Sequence, residues 1–97
     1  MSTVGHLING EIIIEGTRSQ DVFNPSTGEV SKQVDLASKA TVEQAIAAAQ
    51  AAYPAWRNTP PIKRARVMFK FKELLEQHSD KICAMIGEEH GKISHDA

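Results

Sequence analysis

Cysteine is almost missing from this chain: Cys83 is the only one in 97 residues. No intrachain disulfide is possible, and a lone thiol fits a reducing compartment. An excess of one charge is missing too. Eleven Lys and Arg stand against twelve Asp and Glu, for a formal net charge of −1. No overall field therefore draws the chain to nucleic acid or to an anionic membrane. No apolar run approaches the ~20 residues that span a bilayer. The opening MSTVGHLING has no basic stretch leading into an apolar core, and no arginine, which argues against a signal or transit peptide. The expected setting is cytoplasmic. GxGxxG, P-loop and GxSxG patterns are also lacking. NPSTGE holds one glycine and no helix start behind it, so it is a turn and not a phosphate cradle.

What is present reads as α+β: two antiparallel β-hairpins followed by three α-helices. In HLI-NG-EIII, Asn9 and Gly10 can both take positive φ, as a two-residue type I′ turn requires. A second hairpin follows in DVF-NPSTG-EVSKQV. Asn24 can bond its own following backbone, Pro25 presets φ and Gly28 supplies the left-handed position. Val30, Lys32 and Val34 alternate with Ser31, Gln33 and Asp35, which suits an edge strand or one covered by something else. Near Leu36 the apolar period changes from about two to 3.6. Val42, Ala45, Ile46, Ala49, Ala52, Tyr53 and Trp56 make one helical stripe. Ser38 or Thr41 can cap it, and Thr41 with Gln44 fits a capping box. Pro54 has no N–H for the Gln50 carbonyl, so the helix should end or kink there.

A second helix is expected after Thr59 as N-cap, with Pro60 and Pro61 in its first turn. Its buried stripe would be Val67, Met68, Phe71, Leu74, Leu75 and His78, with Lys63, Arg66, Lys70 and Glu73 facing away. Ser79 would cap a third helix with Ile82, Met85 and Ile86 inward and Gly91 as its left-handed stop. Ser94 reads as a further N-cap, with His95 to Ala97 as one turn. The helices carry broad apolar stripes, and the hairpins offer little sheet to cover them. Something else should pack here.

Three groups of residues invite a chemical reading. Cys83 is flanked by Ile82 and Ala84, the setting of an inert core thiol more than of a nucleophile. Glu88, Glu89, His90 and His95 crowd together, but a helix stop at Gly91 separates the histidines, unlike HExxH. Lys63, Arg64, Arg66, Lys70 and Lys72 interleave with Met68, Phe69 and Phe71, a pattern that nucleic acid or an acidic partner could use. Most of these cations fall outside the apolar stripe, where an amphipathic helix keeps its charges. On residues alone, no catalytic constellation emerges.

Several stretches in order change the reading: LINGE, FNPSTGEV, AIAAAQAAYPAW, RARVMFKFKELL and EEHGK. Together they resemble the amino-terminal region of the aldehyde dehydrogenase superfamily, from about Leu7 to Ala97. TPPIKRARVMFKFKELLEQHSDKI looks most like the CoA-acylating methylmalonate-semialdehyde dehydrogenases. Ile93 departs from the family's usual threonine or proline after glycine-lysine. The resemblance implies a Rossmann-like NAD domain, a catalytic domain and an oligomerisation element in a chain of several hundred residues. It implies a cysteine thiolate that attacks the aldehyde, hydride passed to NAD, and a thioester taken by CoA, or by water in hydrolytic relatives.

The nucleophilic cysteine, the oxyanion asparagine and the NAD-gripping residues lie later in the family's sequence. The resemblance therefore puts no catalytic and no cofactor-binding residue here, and Cys83 is not the nucleophile. Some relatives hold a structural monovalent cation at positions that match Val22 and Phe23, through their carbonyls, and Glu89. Residues 1–97 are then expected to be an amino-terminal fragment of the NAD-binding domain, with hairpins within 5–35 and helices about 38–57, 60–78 and 79–90. Such a fragment would be inactive alone, bacterial and cytoplasmic. Its partners would be the remaining dehydrogenase chain, the other subunits of a homo-oligomer and a small aldehyde, with no nucleic acid and no membrane. The rivals are a fragment of a hydrolytic aldehyde dehydrogenase and a stand-alone interaction module built on the basic helix 60–78.

Overall fold

The order of elements follows from where turn chemistry interrupts the chain. A computed structural model describes residues 2–93 and 95–97. Five short strands come first: β1 (Thr3–Val4), β2 (His6–Ile8), β3 (Glu11–Ile13), β4 (Ser19–Phe23) and β5 (Val30–Asp35). Three helices follow, α1 (Lys39–Asn58), α2 (Pro61–Gln77) and α3 (Ser79–His90). Asn9 and Gly10 have φ of 52° and 78° and join antiparallel β2 and β3, with His6 opposite Ile13 and Ile8 opposite Glu11. The β4–β5 turn closes through Asn24, whose side chain accepts from the Ser26 amide at 2.9 Å.

β5 is not an edge. It lies between antiparallel β4 and parallel β1. Two paired residues, Thr3 and Val4, are too few to show alternation in sequence, so the second neighbour was invisible there. The β4–β5 ladder pairs Ser19 with Asp35 and Val22 with Lys32, then Phe23 with Val30. Ser31 is the extra residue of a β-bulge, which bends and twists the strand locally.

Several helix ends differ from expectation. Ser38 caps α1, accepting from the Thr41 amide at 3.3 Å, while the Thr41 hydroxyl is engaged elsewhere. Pro54 does not end α1; the helix runs on to Asn58. Gln50 is exposed, so water can satisfy the carbonyl that proline leaves without a donor. Thr59 is the C-cap of α1 and not the N-cap of α2: its amide donates to Trp56 O and its hydroxyl to Ala55 O at 2.8 Å. Pro60 takes the N-cap position of α2 with no side-chain bond, and Pro61 sits at its first turn. Ser79 begins α3 without capping it; His78 is the single residue between the two helices. Gly91, at φ 74°, ends α3 and donates its amide to Gly87 O. Ser94 lies outside the described residues. His95 and Asp96 form a turn, with the Asp96 and Ala97 amides on Ile93 O.

Burial is where the sequence pattern and the structure part. Ile8 is the one apolar residue among those described that is fully buried, at 6% exposure. The α2 stripe is open: Val67, Met68, Phe71, Leu74 and Leu75 are 41–56% exposed. On α1, Ala45 and Ala48 lie against the β2–β3 hairpin, whereas Ile46, Tyr53 and Trp56 stay exposed. Ile82 and Ile86 of α3 are half-buried and Met85 is not. The radius of gyration is 17.0 Å, against about 13 Å for a compact domain of this length. The accessible surface is 7727 Å², against roughly 5,500 Å² for a folded monomer of this mass. The elements are formed, and their apolar faces are not covered by one another.

Candidate functional site

Two polar junctions hold the short elements in place. The first is built on Asp35, the last residue of β5, which is only 2% exposed. Its carboxylate accepts from the Glu15 and Gly16 amides, both at 2.9 Å, and from His6 Nε2 at 2.8 Å. A carboxylate only accepts, so His6 carries its proton on Nε2. Glu15 extends the network: its Oε1 accepts from the Ser38 amide and hydroxyl, both at 2.9 Å, and from the Thr41 hydroxyl. β2, β5, the loop after β3 and the start of α1 thus meet at two carboxylates.

Electrostatics follow from those donors. The Glu15 and Gly16 amides, and secondarily His6, hold the Asp35 carboxyl below its ordinary 3.8 against the opposing effect of burial. The Thr41 hydroxyl, then the Ser38 amide and hydroxyl, hold Glu15 below its ordinary 4.5. Hydrogen bonds to the charged form are the cause in both cases. Nothing here resembles a nucleophile with its base. The junction is a clasp.

The second junction contains the positions at which a cation was expected. Lys32, register partner of Val22, crosses from β5 to α3 and places Nζ 2.7 Å from Glu89 Oε1. The Val22 carbonyl accepts from the Ser31 hydroxyl at 3.1 Å. A few residues on, a Cβ at Gly91 would lie 3.3 Å from Pro25 Cγ. The end of α3 therefore sits directly on the NPSTG turn, and two motifs legible only as local turn chemistry prove to be tertiary neighbours. An alkali ion held by Val22 O, Phe23 O and Glu89 would compete with an ammonium already bonded to the carboxylate. One of the three expected ligands, Glu89, is thus already bonded to an ammonium.

The remaining candidates are dispersed. Cys83 is half-buried and lines an open hollow with Asp80, Ala84, Gly87 and Lys92. Among the described residues no histidine lines that hollow. Among the described residues no three His, Cys, Asp or Glu side chains converge on a metal position, so Glu88, Glu89, His90 and His95 form no such cluster. Lys70 pairs with Glu73 at 3.4 Å and Lys72 with Glu76 at 3.6 Å, which takes two cations out of the basic stretch. Arg64 is half-buried, and its Nε is shielded without a partner.

Sequence reading missed the clasp of His6, Glu15, Asp35, Ser38 and Thr41. Its members are far apart in the chain, and no spacing rule joins them. It also missed Lys32, although a lysine between two valines in a strand was a signal that its charge needed a partner.

The sequence profile of the Aldehyde dehydrogenase family matches residues 13–97. The chain belongs to that family. Its relatives agree in kind. The malonate-semialdehyde dehydrogenase of Pseudomonas aeruginosa is 58% identical over all 97 residues, which are 20% of the relative's length. Malonate-semialdehyde dehydrogenase 1 of Geobacillus kaustophilus is 42% identical over 82 residues, 84% of this chain and 17% of that one. The crystal structure of methylmalonate-semialdehyde dehydrogenase from Oceanimonas doudoroffii superposes with a TM-score of 0.96 at 74% identity, over 99% of this chain and 20% of its own. A Sinorhizobium meliloti protein assigned the same activity, and complexed with NAD, superposes with a TM-score of 0.94 at 41% identity over the same shares. The chain thus spans about a fifth of the length of the relatives it matches, and its α+β arrangement is a portion of their fold.

Proposed function

We propose that residues 1–97 form the amino-terminal part of an NAD-dependent, CoA-acylating malonate- or methylmalonate-semialdehyde dehydrogenase. On this reading the segment belongs to the Rossmann-like NAD-binding domain and gives it a hairpin layer and three helices. It contributes scaffold and no catalytic or cofactor-binding side chain. Its reaction partners and its NAD and CoA are engaged by later parts of the polypeptide, in a bacterial cytoplasmic homo-oligomer.

One observation carries the reading: elements at TM-score 0.96 to a methylmalonate-semialdehyde dehydrogenase leave Val67, Phe71 and Leu74 in the open. Apolar surface of this extent on formed helices is what a buried interface looks like when its other side is absent. The partnerless Arg64 Nε agrees, since shielded polar atoms in native proteins nearly always have partners.

The test is NADH formation from malonate semialdehyde by the intact polypeptide that carries residues 1–97, with and without CoA. A rate that requires CoA and yields an acyl-CoA supports the reading. Oxidation to the free acid without CoA assigns a hydrolytic enzyme instead. The isolated 97-residue chain should give no rate in either assay. Turnover by that piece alone would overturn the scaffold role.

A further inference from the structure

The junction of β5 with the end of α3 differs from an ordinary surface ion pair in three ways. Lys32 is only 13% exposed along its side chain although Glu89 is 51% exposed, so the lysine stem is packed and its head is delivered to one place. The position is set by the Ser31 bulge, whose hydroxyl is spent on the Val22 carbonyl. Contact of Gly91 with Pro25 fixes how far the helix end stands from the turn.

A cation at this junction has one physical task. The last turn of a helix presents unpaired carbonyls and a partial negative charge, and here two carboxylates, Glu88 and Glu89, add to it. A positive group between that end and the β4–β5 sheet offsets this negative charge. A free ion does so only at sufficient concentration, because its contribution depends on occupancy. A lysine anchored in the strand is present at every concentration.

We propose that the Lys32 ammonium is a tethered cation that fastens the Glu89 end of α3 to the β4–β5 sheet, taking the place of a free monovalent ion. The protein then needs no alkali ion at this junction.

The experiment is thermal unfolding of the intact polypeptide that carries residues 1–97, in potassium, sodium and choline chloride at equal ionic strength. The wild type should melt at the same temperature in all three. Lys32→Met should melt several degrees lower in choline chloride and be restored, wholly or in part, by potassium or sodium. Adding Glu89→Gln to that variant should abolish the restoration, because the carboxylate that needs a cation is gone. A wild type stabilised by potassium or sodium over choline would overturn the proposal. So would a Lys32→Met chain indifferent to the salt, which is the behaviour of a solvent-screened surface pair. A variant that folds in none of the three salts would also overturn it, since an alkali ion could not then replace the lysine.

Discussion

The Asp35 clasp and the outer face of α2 are opposite halves of one lesson. At Asp35 every donor finds its acceptor inside this chain: two amides and an imidazole on one carboxylate, with a serine and a threonine on the neighbouring Glu15. On α2, five apolar side chains at helical spacing find nothing to cover them. Polar satisfaction here is a matter of residues within 97 positions. Apolar burial is not. A chain can therefore be locally complete and globally unfinished, and the two regions should respond differently to the same kind of damage.

The sharpest way to break the comparison is one substitution in two settings. In the intact polypeptide that carries residues 1–97, Phe71→Ala should cost about 3–5 kcal/mol, as for a buried aromatic truncated to alanine. In the isolated 97-residue chain, where Phe71 is 54% exposed, the same change should leave the helical circular dichroism almost unaltered. Equal effects in both would mean that nothing further covers α2.

The clasp should show the reverse pattern. Asp35→Ala strands the Glu15 and Gly16 amides, and should lower the melting temperature by several degrees in either setting. Its pH response has a definite sign. Asp35 and Glu15 are held below 3.8 and 4.5, so their contribution is full above those values. It is lost as pH falls through the lower folded values. A thermal-melt series from about pH 5 to about pH 3 should fall more steeply for the wild type than for Asp35→Asn.

How much of this was legible depends on how far apart the partners lie. Asn9-Gly10, Asn24, Gly28 and Gly91 were readable because each turn is decided within about four residues, by positive φ or by a side chain bonding its own backbone. Helix ends were less readable where two capping residues competed. Thr59 was expected to open α2, and its hydroxyl instead closes α1 on the Ala55 carbonyl. β1 could not be read at all, since its pairing is made by β5 about thirty residues later. Glu15, Asp35 and Lys32 belong to the same class: a charge in the sequence can signal the need for a partner without saying which residue on another element supplies it. The apolar stripe of α2 was legible as a stripe, yet which surface buries it is not encoded in these residues.

The smallest effects should come from the solvated side of α2. Lys72→Ala removes an i,i+4 pair with Glu76 whose members are 75% and 68% exposed. It should move the melting temperature by less than about one degree, and less still at high salt. A shift comparable to that of Asp35→Ala would mean that this face, and not only the apolar one, is occupied in the protein.

The most direct measurement is the calorimetric unfolding of the isolated 97-residue chain. With its apolar faces uncovered, it should give a broad, weak transition, far short of the ~0.7 kcal/mol per residue that a packed domain absorbs near 60 °C. A single sharp and reversible peak with that full enthalpy, from a monomer, would contradict the account: the faces seen open here would then have found one another.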